Sequence, residues 1–250
     1  MKAAWPRLRG PLIDRLGKLL GRWLWPESCA HCLQDIKEES RGGLCRDCLH
    51  RKTRLILRPF CLACGSPLSG SRPECPPCRG KKRDCRPIVA LYAYRDAAVS
   101  AIRAFKYLGH QRAALELGSA MGGRFSCYPE LSDFEAAVPM PLHWRRMRER
   151  GYNQAELLAR GFFRETGLPI VHALRRSRRT MPLVSLTREE RMAAVSDAFE
   201  PALPASAIHG RRFLLIDDVA TSTASLEECA RTLRRAGAAA VGAYVLARQF

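Results

Sequence analysis

Eight cysteines between residues 29 and 78 fall into four Cys-x-x-Cys pairs: Cys29/Cys32, Cys45/Cys48, Cys61/Cys64 and Cys75/Cys78. Twelve residues separate the first two pairs, twelve the next two, and ten the last two. A two-residue spacer lets both sulfurs of a pair face one ion, and four soft thiolates form the tetrahedral shell that zinc prefers. The pairs therefore predict two closed four-thiolate sites. Neighbouring pairs joined in sequence give two zinc ribbons; crossed pairing, as in interleaved zinc modules, also fits, because spacing does not fix connectivity. A redox Cys-x-x-Cys is expected within a βαβ pattern, which is missing around these pairs. A closed shell leaves no open coordination position, so about two structural Zn2+ ions are expected. Cys85, Cys127 and Cys229 lack such partners and read as buried small hydrophobes.

The rest of the chain limits where such a module can work. No stretch of the 250 residues has the eighteen uncharged apolar positions of a transmembrane segment. Arg15, Lys18 and Arg22 interrupt the apolar run near the start, which argues against a secretory signal. A cytoplasmic, reducing location is the expectation, and there paired cysteines bind metal rather than form disulfides. The formal net charge is +18, which favours polyanionic or phosphorylated partners. Residues 1–87 carry 19 Lys and Arg against 8 Asp and Glu, and eight thiolates around two zinc ions bring that half from +11 to +7. Residues 88–250 carry 23 basic and 16 acidic residues, again +7, so both halves are basic.

Four regions follow from composition and periodicity. Residues 1–27 hold a basic amphipathic helix, with Leu12, Leu16, Leu19, Leu20, Trp23 and Leu24 near a helical repeat. Residues 28–80 are the double zinc-ribbon module, and 81–87 read as a basic linker. From residue 88 apolar strands alternate with helices: strands at 88–94, 134–141, 212–219 and 239–247, and helices at 97–109, 112–124, 153–166 and 225–237. That alternation predicts an α/β domain over residues 88–250, with a mostly parallel sheet covered by helices. Residues 175–210, rich in Arg, Ser and Pro, interrupt it.

The most chemically specific segment is Phe213-Leu214-Leu215-Ile216-Asp217-Asp218, followed by Val219-Ala220-Thr221-Ser222-Thr223-Ala224-Ser225. A buried strand ending in two carboxylates places acids where open α/β sheets bind ligands. The hydroxyl-rich loop then enters a helix, and Ser225-x-x-Glu228 reads as a capping box. Oriented amides at such a helix start suit a phosphate. Upstream, Val138-Pro139-Met140-Pro141-Leu142 runs into Arg145, Arg146, Arg148 and Arg150, then Gly151-Tyr152-Asn153-Gln154. Arginines, a glycine and a helix start suit a phosphate chain.

The acid pair and loop resemble the phosphoribosyltransferase signature, in which two acids bind the ribose of phosphoribosyl pyrophosphate (PRPP) and the loop binds its 5′-phosphate. The whole order is similar to the competence protein F (ComF) family: zinc pairs, Tyr94-Arg95 with Lys106, the Pro-x-Pro strand, Arg150-Gly151-Tyr152-Asn153-Gln154 and the acids. The resemblance implies a type I phosphoribosyltransferase-like domain and a link to DNA uptake, natural competence or DNA utilisation. It implies that Asp217 and Asp218 hold ribose, and that Thr221, Ser222, Thr223, Ala224 and Ser225 cradle phosphate. Lys106, Arg148, Arg150, Asn153 and Gln154 fall on the pyrophosphate side, with Mg2+ arriving mainly with the pyrophosphate. Three positions depart from the family pattern: Thr223 replaces its glycine, Leu183 a glutamine and Ala194 an asparagine. Two readings stay open. One is a phosphoribosyltransferase acting on PRPP or another phosphorylated small molecule. The other is a non-catalytic protein that handles single-stranded DNA through its bases and aromatics (Trp23, Trp25, Trp144, Tyr152), with DNA-uptake or helicase proteins as partners.

Overall fold

The computed structural model describes residues 28–36, 43–70, 72–177 and 196–250. The helix expected at 12–24, Trp23, Trp25, Leu183 and Ala194 lie outside these residues. Within the cysteine-rich module the only helix among the described residues is α1 (Arg46–Arg51), which starts from Cys45. The chain then forms β1 (Cys85–Ala93), α2 (Asp96–Tyr107), α3 (Gln111–Gly123), β2 (Ala136–Pro139), α4 (Trp144–Arg150) and α5 (Gln154–Thr166). Two three-residue strands, β3 (Leu174–Arg176) and β4 (Phe199–Pro201), precede α6 (Ala205–Ile208), β5 (Arg212–Ala220), α7 (Ala224–Arg235) and β6 (Ala240–Arg248).

The long strands form one all-parallel sheet in the order β1-β6-β5-β2. Ile170 extends it by a single parallel bridge to Ala137 of β2. Strands in such a sheet are buried on both faces and read as continuous apolar runs, as β5 and β6 do. Phe213, Leu214, Leu215 and Ile216 are fully buried, as are Ala243, Tyr244, Val245 and Ala247. Tyr244 sits against Phe162 of α5 and donates from its hydroxyl to the Met121 carbonyl of α3 at 3.1 Å, a buried polar tip given a partner. β3 and β4 pair antiparallel as a separate ribbon.

Two expected boundaries move. The first strand begins at Cys85, which pairs with Val241, so residues 85–87 belong to the sheet rather than to a linker. Main-chain N–H groups of Asp84 and Cys85 also donate to the buried Glu227 carboxylate, at 2.6 and 3.4 Å. The capping box fails as well. Helix α7 starts at Ala224 with Thr223 at its N-cap, which places Ser225 inside the helix. Glu228 instead accepts from the Asp197 N–H at 3.0 Å and from Arg231 at 2.8 Å. Cys85 and Cys229 are buried as expected, but Cys127 is exposed in a 3-10 turn.

The cysteine module is fused to this sheet rather than hung from it. Ile56 N–H donates to Leu91 and Ala93 N–H to Arg54, at 2.9 and 2.7 Å, while Ile88 N–H donates to Leu62 at 2.9 Å. Residues 54–62 thereby cover the free edge of β1, an edge that would otherwise present unpaired main-chain groups. Cys29, Leu44, Cys48, Ile56 and Phe60 join the same buried cluster as the sheet. Among the described residues no helix is long and apolar enough to cross a membrane.

Helices α3 and α5 approach closely because glycines face each other's backbone. A Cβ at Gly161 would lie 2.0 Å from the Leu115 carbonyl, and one at Gly118 2.1 Å from that of Leu158. A methyl there forces the helices apart, so Gly161→Ala is expected to lower unfolding free energy by about 1–3 kcal/mol or more. Gly123→Ala, at a position with open space around it, should change it by less than about 1 kcal/mol in the same urea titration.

Candidate functional site

Both four-cysteine sets are assembled from pairs adjacent in sequence: Cys29, Cys32, Cys45 and Cys48 in one, Cys61, Cys64, Cys75 and Cys78 in the other. In each set the sulfurs lie within 4.8 Å of one another. Cys32 and Cys45 sulfurs are 3.7 Å apart, as are those of Cys64 and Cys75. Corners of a tetrahedron with metal–sulfur bonds of about 2.3 Å are about 3.8 Å apart, so both sets fit a structural zinc ion. The knuckles also stabilise thiolate. Main-chain N–H groups of Cys45 and Cys48 donate to the sulfurs of Cys29 and Cys45, at 3.3 and 3.4 Å. Burial resists ionisation of Cys29, but such N–H donors outweigh it and bring its pKa down to about 6. In the second set, burial and the adjoining thiols push Cys75 up to about 12.

The acid pair lies on β5 before its end. The ladder continues past it, with Asp217 opposite Val245 and Val219 opposite Ala247. Asp218 is buried and accepts from the Lys106 ammonium at 2.7 Å. Desolvation disfavours the charged lysine, yet the Asp218 carboxylate more than offsets it and raises the Lys106 pKa. Asp217 accepts from the Asp218 N–H at 2.8 Å. Burial, then repulsion from Asp218, pushes Asp217 up to about 7. One carboxylate is thus paired with a cation while its neighbour titrates near neutrality.

Around these acids is a cavity of about 160 Å3 lined by Lys106, Arg146, Arg150, Asn153, Gln154, Arg176 and Ser225, among others. Each comes from a different structural cause. Lys106 occupies the last turn of α2. Gly151, left-handed at φ +76, ends α4 and lets Asn153 cap α5, its Oδ1 accepting from Ala155 N–H at 3.1 Å and its amide donating to Met140 at 3.0 Å. Arg150 reaches back to the buried Gln154 at 2.9 Å. The cavity therefore carries four cations against two carboxylates.

Several expected positions behave differently. Arg148 is exposed and stacks over Trp144, its guanidinium 5.5 Å from the ring, away from the cavity lining. Arg146, a member of the arginine run that suits a phosphate chain, takes part instead, together with Arg176, which lies outside that run. Arg176 arrives only because β3 pairs with β4, where its guanidinium lies 5.3 Å over Phe199. No local motif marks it. The loop after the acids divides between two spaces. Ser225 faces the acid cavity, whereas Thr221, Ser222 and Thr223 line a second cavity of about 280 Å3 shared with Cys64, Ser66, Cys75, Pro77, Cys78 and Arg248. Ala224 is buried. Thr223 keeps the left-handed backbone a glycine would adopt, at φ +63 and ψ 2. Tyr152 is half-buried and its hydroxyl donates to the Phe105 carbonyl, so it is a packing residue.

Comparison with known proteins agrees with both halves. A model of the double zinc ribbon domain matches residues 20–81. Competence protein F of Haemophilus influenzae is 27% identical over 224 residues, covering 88% of this chain and 96% of that protein. The DNA utilization protein YhgH of Escherichia coli strain K12 is 29% identical over 212 residues, 82% of this chain and 90% of the relative. Competence protein ComFC of Bacillus subtilis is 30% identical over 212 residues, 82% and 84% of the two chains. Solved structures similar in part include the allosteric regulatory enzyme of purine biosynthesis, at 14% identity and TM-score 0.37, covering 57% of this chain and 29% of that one. Glutamine PRPP amidotransferase from B. subtilis is matched at 16% identity and TM-score 0.37, over 57% and 30%. With an α/β domain built on a parallel sheet behind a double zinc ribbon, and 30% identity across most of ComFC, the chain belongs to the ComF family.

Proposed function

We propose that this chain binds PRPP with Mg2+ in the acid cavity and acts in DNA uptake, natural competence or DNA utilisation. The observation that carries the binding reading is the cavity's charge pattern: four cations converge beside two adjacent carboxylates at the C-terminal half of β5. Cations suit phosphate oxygens, while carboxylates suit hydroxyl donors, so a phosphorylated sugar satisfies both. Asp217 and Asp218 accept from ribose hydroxyls in this reading. Lys106, Arg146, Arg150 and Arg176 face the pyrophosphate, and Ser225 with the start of α7 faces the 5′-phosphate. Mg2+ supplies charge neutralisation of the pyrophosphate. If phosphoribosyl transfer follows, the two acids stabilise positive charge developing at the sugar. The names of the matched relatives, competence protein and DNA utilization protein, support the cellular role.

Isothermal titration of metal-replete protein with PRPP and Mg2+ is expected to show one site, lost in the Asp217→Asn/Asp218→Asn double variant. No heat at millimolar ligand would sink this reading. Binding should also depend on pH. With Asp217 near 7, the ionised fraction rises from about one tenth at pH 6 to about nine tenths at pH 8, so affinity should rise about tenfold. The Asp217→Asn variant should remove that rise, leaving only the ligand's own titration.

A second reading has its own support. Trp144 is 53% exposed, with the guanidiniums of Arg145 and Arg148 at 5.1 and 5.5 Å from its ring. Tyr107 is 70% exposed beneath Arg150 at 5.4 Å. Aromatic faces among arginines suit single-stranded nucleic acid, by stacking and phosphate contact. A labelled single strand should bind with log K falling as salt rises, and Trp144→Ala should weaken it. Absence of binding at low salt removes this reading.

Metal analysis is expected to give about two zinc equivalents per chain, and Cys61→Ser to lose one of them or unfold its ribbon. Unchanged zinc content in that variant would refute the assignment.

A further inference from the structure

The second ribbon and the loop after the acids share one buried side chain. Arg248, the last residue of β6, is 8% exposed. Its Nε donates to the Cys64 carbonyl at 2.6 Å, and its Nη1 to the Ala220 carbonyl at 3.0 Å and to that of Thr221. Cys64 belongs to the second four-cysteine set, and Ala220-Thr221 is where β5 leaves the sheet to enter the loop. A planar fork of donors can hold two backbone segments in fixed relation, which a flexible ammonium cannot. The 280 Å3 cavity repeats this adjacency, because Cys64, Cys75 and Cys78 line it opposite Thr221, Ser222 and Thr223, with Arg248 between.

The loop needs such a restraint. Thr223 is β-branched and sits in the left-handed region at φ +63, a conformation that persists only where the surroundings over-determine it. Its neighbours Leu226 and Ala224 are buried on one side, and the Arg248 fork holds the strand exit on the other. The knuckle is itself fixed to the sheet, since Gly65 lies against Ile88, where an added Cβ would meet the carbonyl at 3.3 Å. A small ribbon has little core of its own, and its closed shape depends on metal.

We propose that Arg248 is a positioning residue that makes the second zinc ribbon part of the ligand-binding loop, so that metal loss from Cys61, Cys64, Cys75 and Cys78 loosens residues 220–226 and weakens ligand binding. The ligand half of this statement rests on the PRPP reading; the loop half does not. Metal-replete wild type, Arg248→Met and Arg248→Lys are compared by zinc content, titration with PRPP and Mg2+, and hydrogen exchange. Arg248→Met is expected to keep both zinc equivalents and the protection of α3 and α5. It should bind PRPP at least tenfold more weakly and exchange amides of residues 220–226 at least tenfold faster. Arg248→Lys, which keeps the charge but not the fork, should fall nearer to Met than to wild type. Wild type partly stripped by a chelator, with one zinc remaining, should show the same local acceleration whenever the second site is the one emptied.

The outcomes separate cleanly. Unchanged exchange at 220–226 in both Arg248→Met and stripped protein overturns the coupling, whatever PRPP does. If wild type gives no PRPP heat, the ligand reading fails and exchange alone decides the coupling. Should Arg248→Met fail to fold, the stripped wild type carries the decision.

Discussion

A parallel sheet cannot leave an edge strand open without cost, and here the edge of β1 is covered by backbone from the cysteine-rich module. Ile56 and Leu62 pair with Leu91 and Ile88, so main-chain hydrogen bonds run from one ribbon, across the strand, toward the other. Each ribbon alone is too small to bury a core. Metal shapes it, and the sheet then gives it something to pack against. The same contacts remove the exposed edge as a template for pairing with another chain. The two halves are therefore interdependent, as the shared burial of Cys29, Leu44 and Cys48 with the sheet residues shows.

Electrostatics in the acid cavity follow from where β5 places its carboxylates. Two acids on consecutive residues in a buried strand cannot both ionise cheaply, because each is desolvated and each repels the other. Lys106, arriving from α2, pairs with Asp218 at 2.7 Å. Asp217 carries the remaining penalty, which is why it titrates near neutrality. An exposed ion pair would contribute little, but at this depth removal of one partner strands the other charge. The surplus of Arg146, Arg150 and Arg176 then favours an anionic occupant over an apolar one.

Much of this was legible in residue types. The run Phe213 to Ile216 announces a doubly buried strand, and four evenly spaced cysteine pairs announce two closed metal sites. The pairing of neighbours over crossed knuckles was not legible, because spacing permits both. Arg176 was invisible for another reason. Its place depends on a three-residue ribbon whose strands are separated by more than twenty residues, and neither strand has a readable period. Within the arginine run residue type alone does not separate neighbours: on α4 the Arg148 side chain stacks on Trp144, while Arg146, two residues earlier, lines the acid cavity. The capping box was a true local pattern overridden by tertiary structure. Glu228 is drawn to Asp197 and Arg231, and the helix begins two residues too early for Ser225 to cap it.

Thr223 shows how a substitution can keep a geometry while changing its cost. Glycine would visit φ +63 freely, whereas threonine brings a branched Cβ that disfavours the region by about 1–3 kcal/mol. The backbone adopts it nonetheless, so the shape expected of a phosphate-facing turn survives the loss of glycine. Thr223 itself makes no side-chain bond that caps α7, so contacts beside it help to hold this backbone. Those contacts are the buried start of α7 and the guanidinium of Arg248, 25 residues downstream in sequence and bonded to the adjacent Thr221 carbonyl. The fold therefore moves responsibility for the loop from a flexible residue within it to a rigid contact beside it. That contact ends on a cysteine carbonyl of the second metal site.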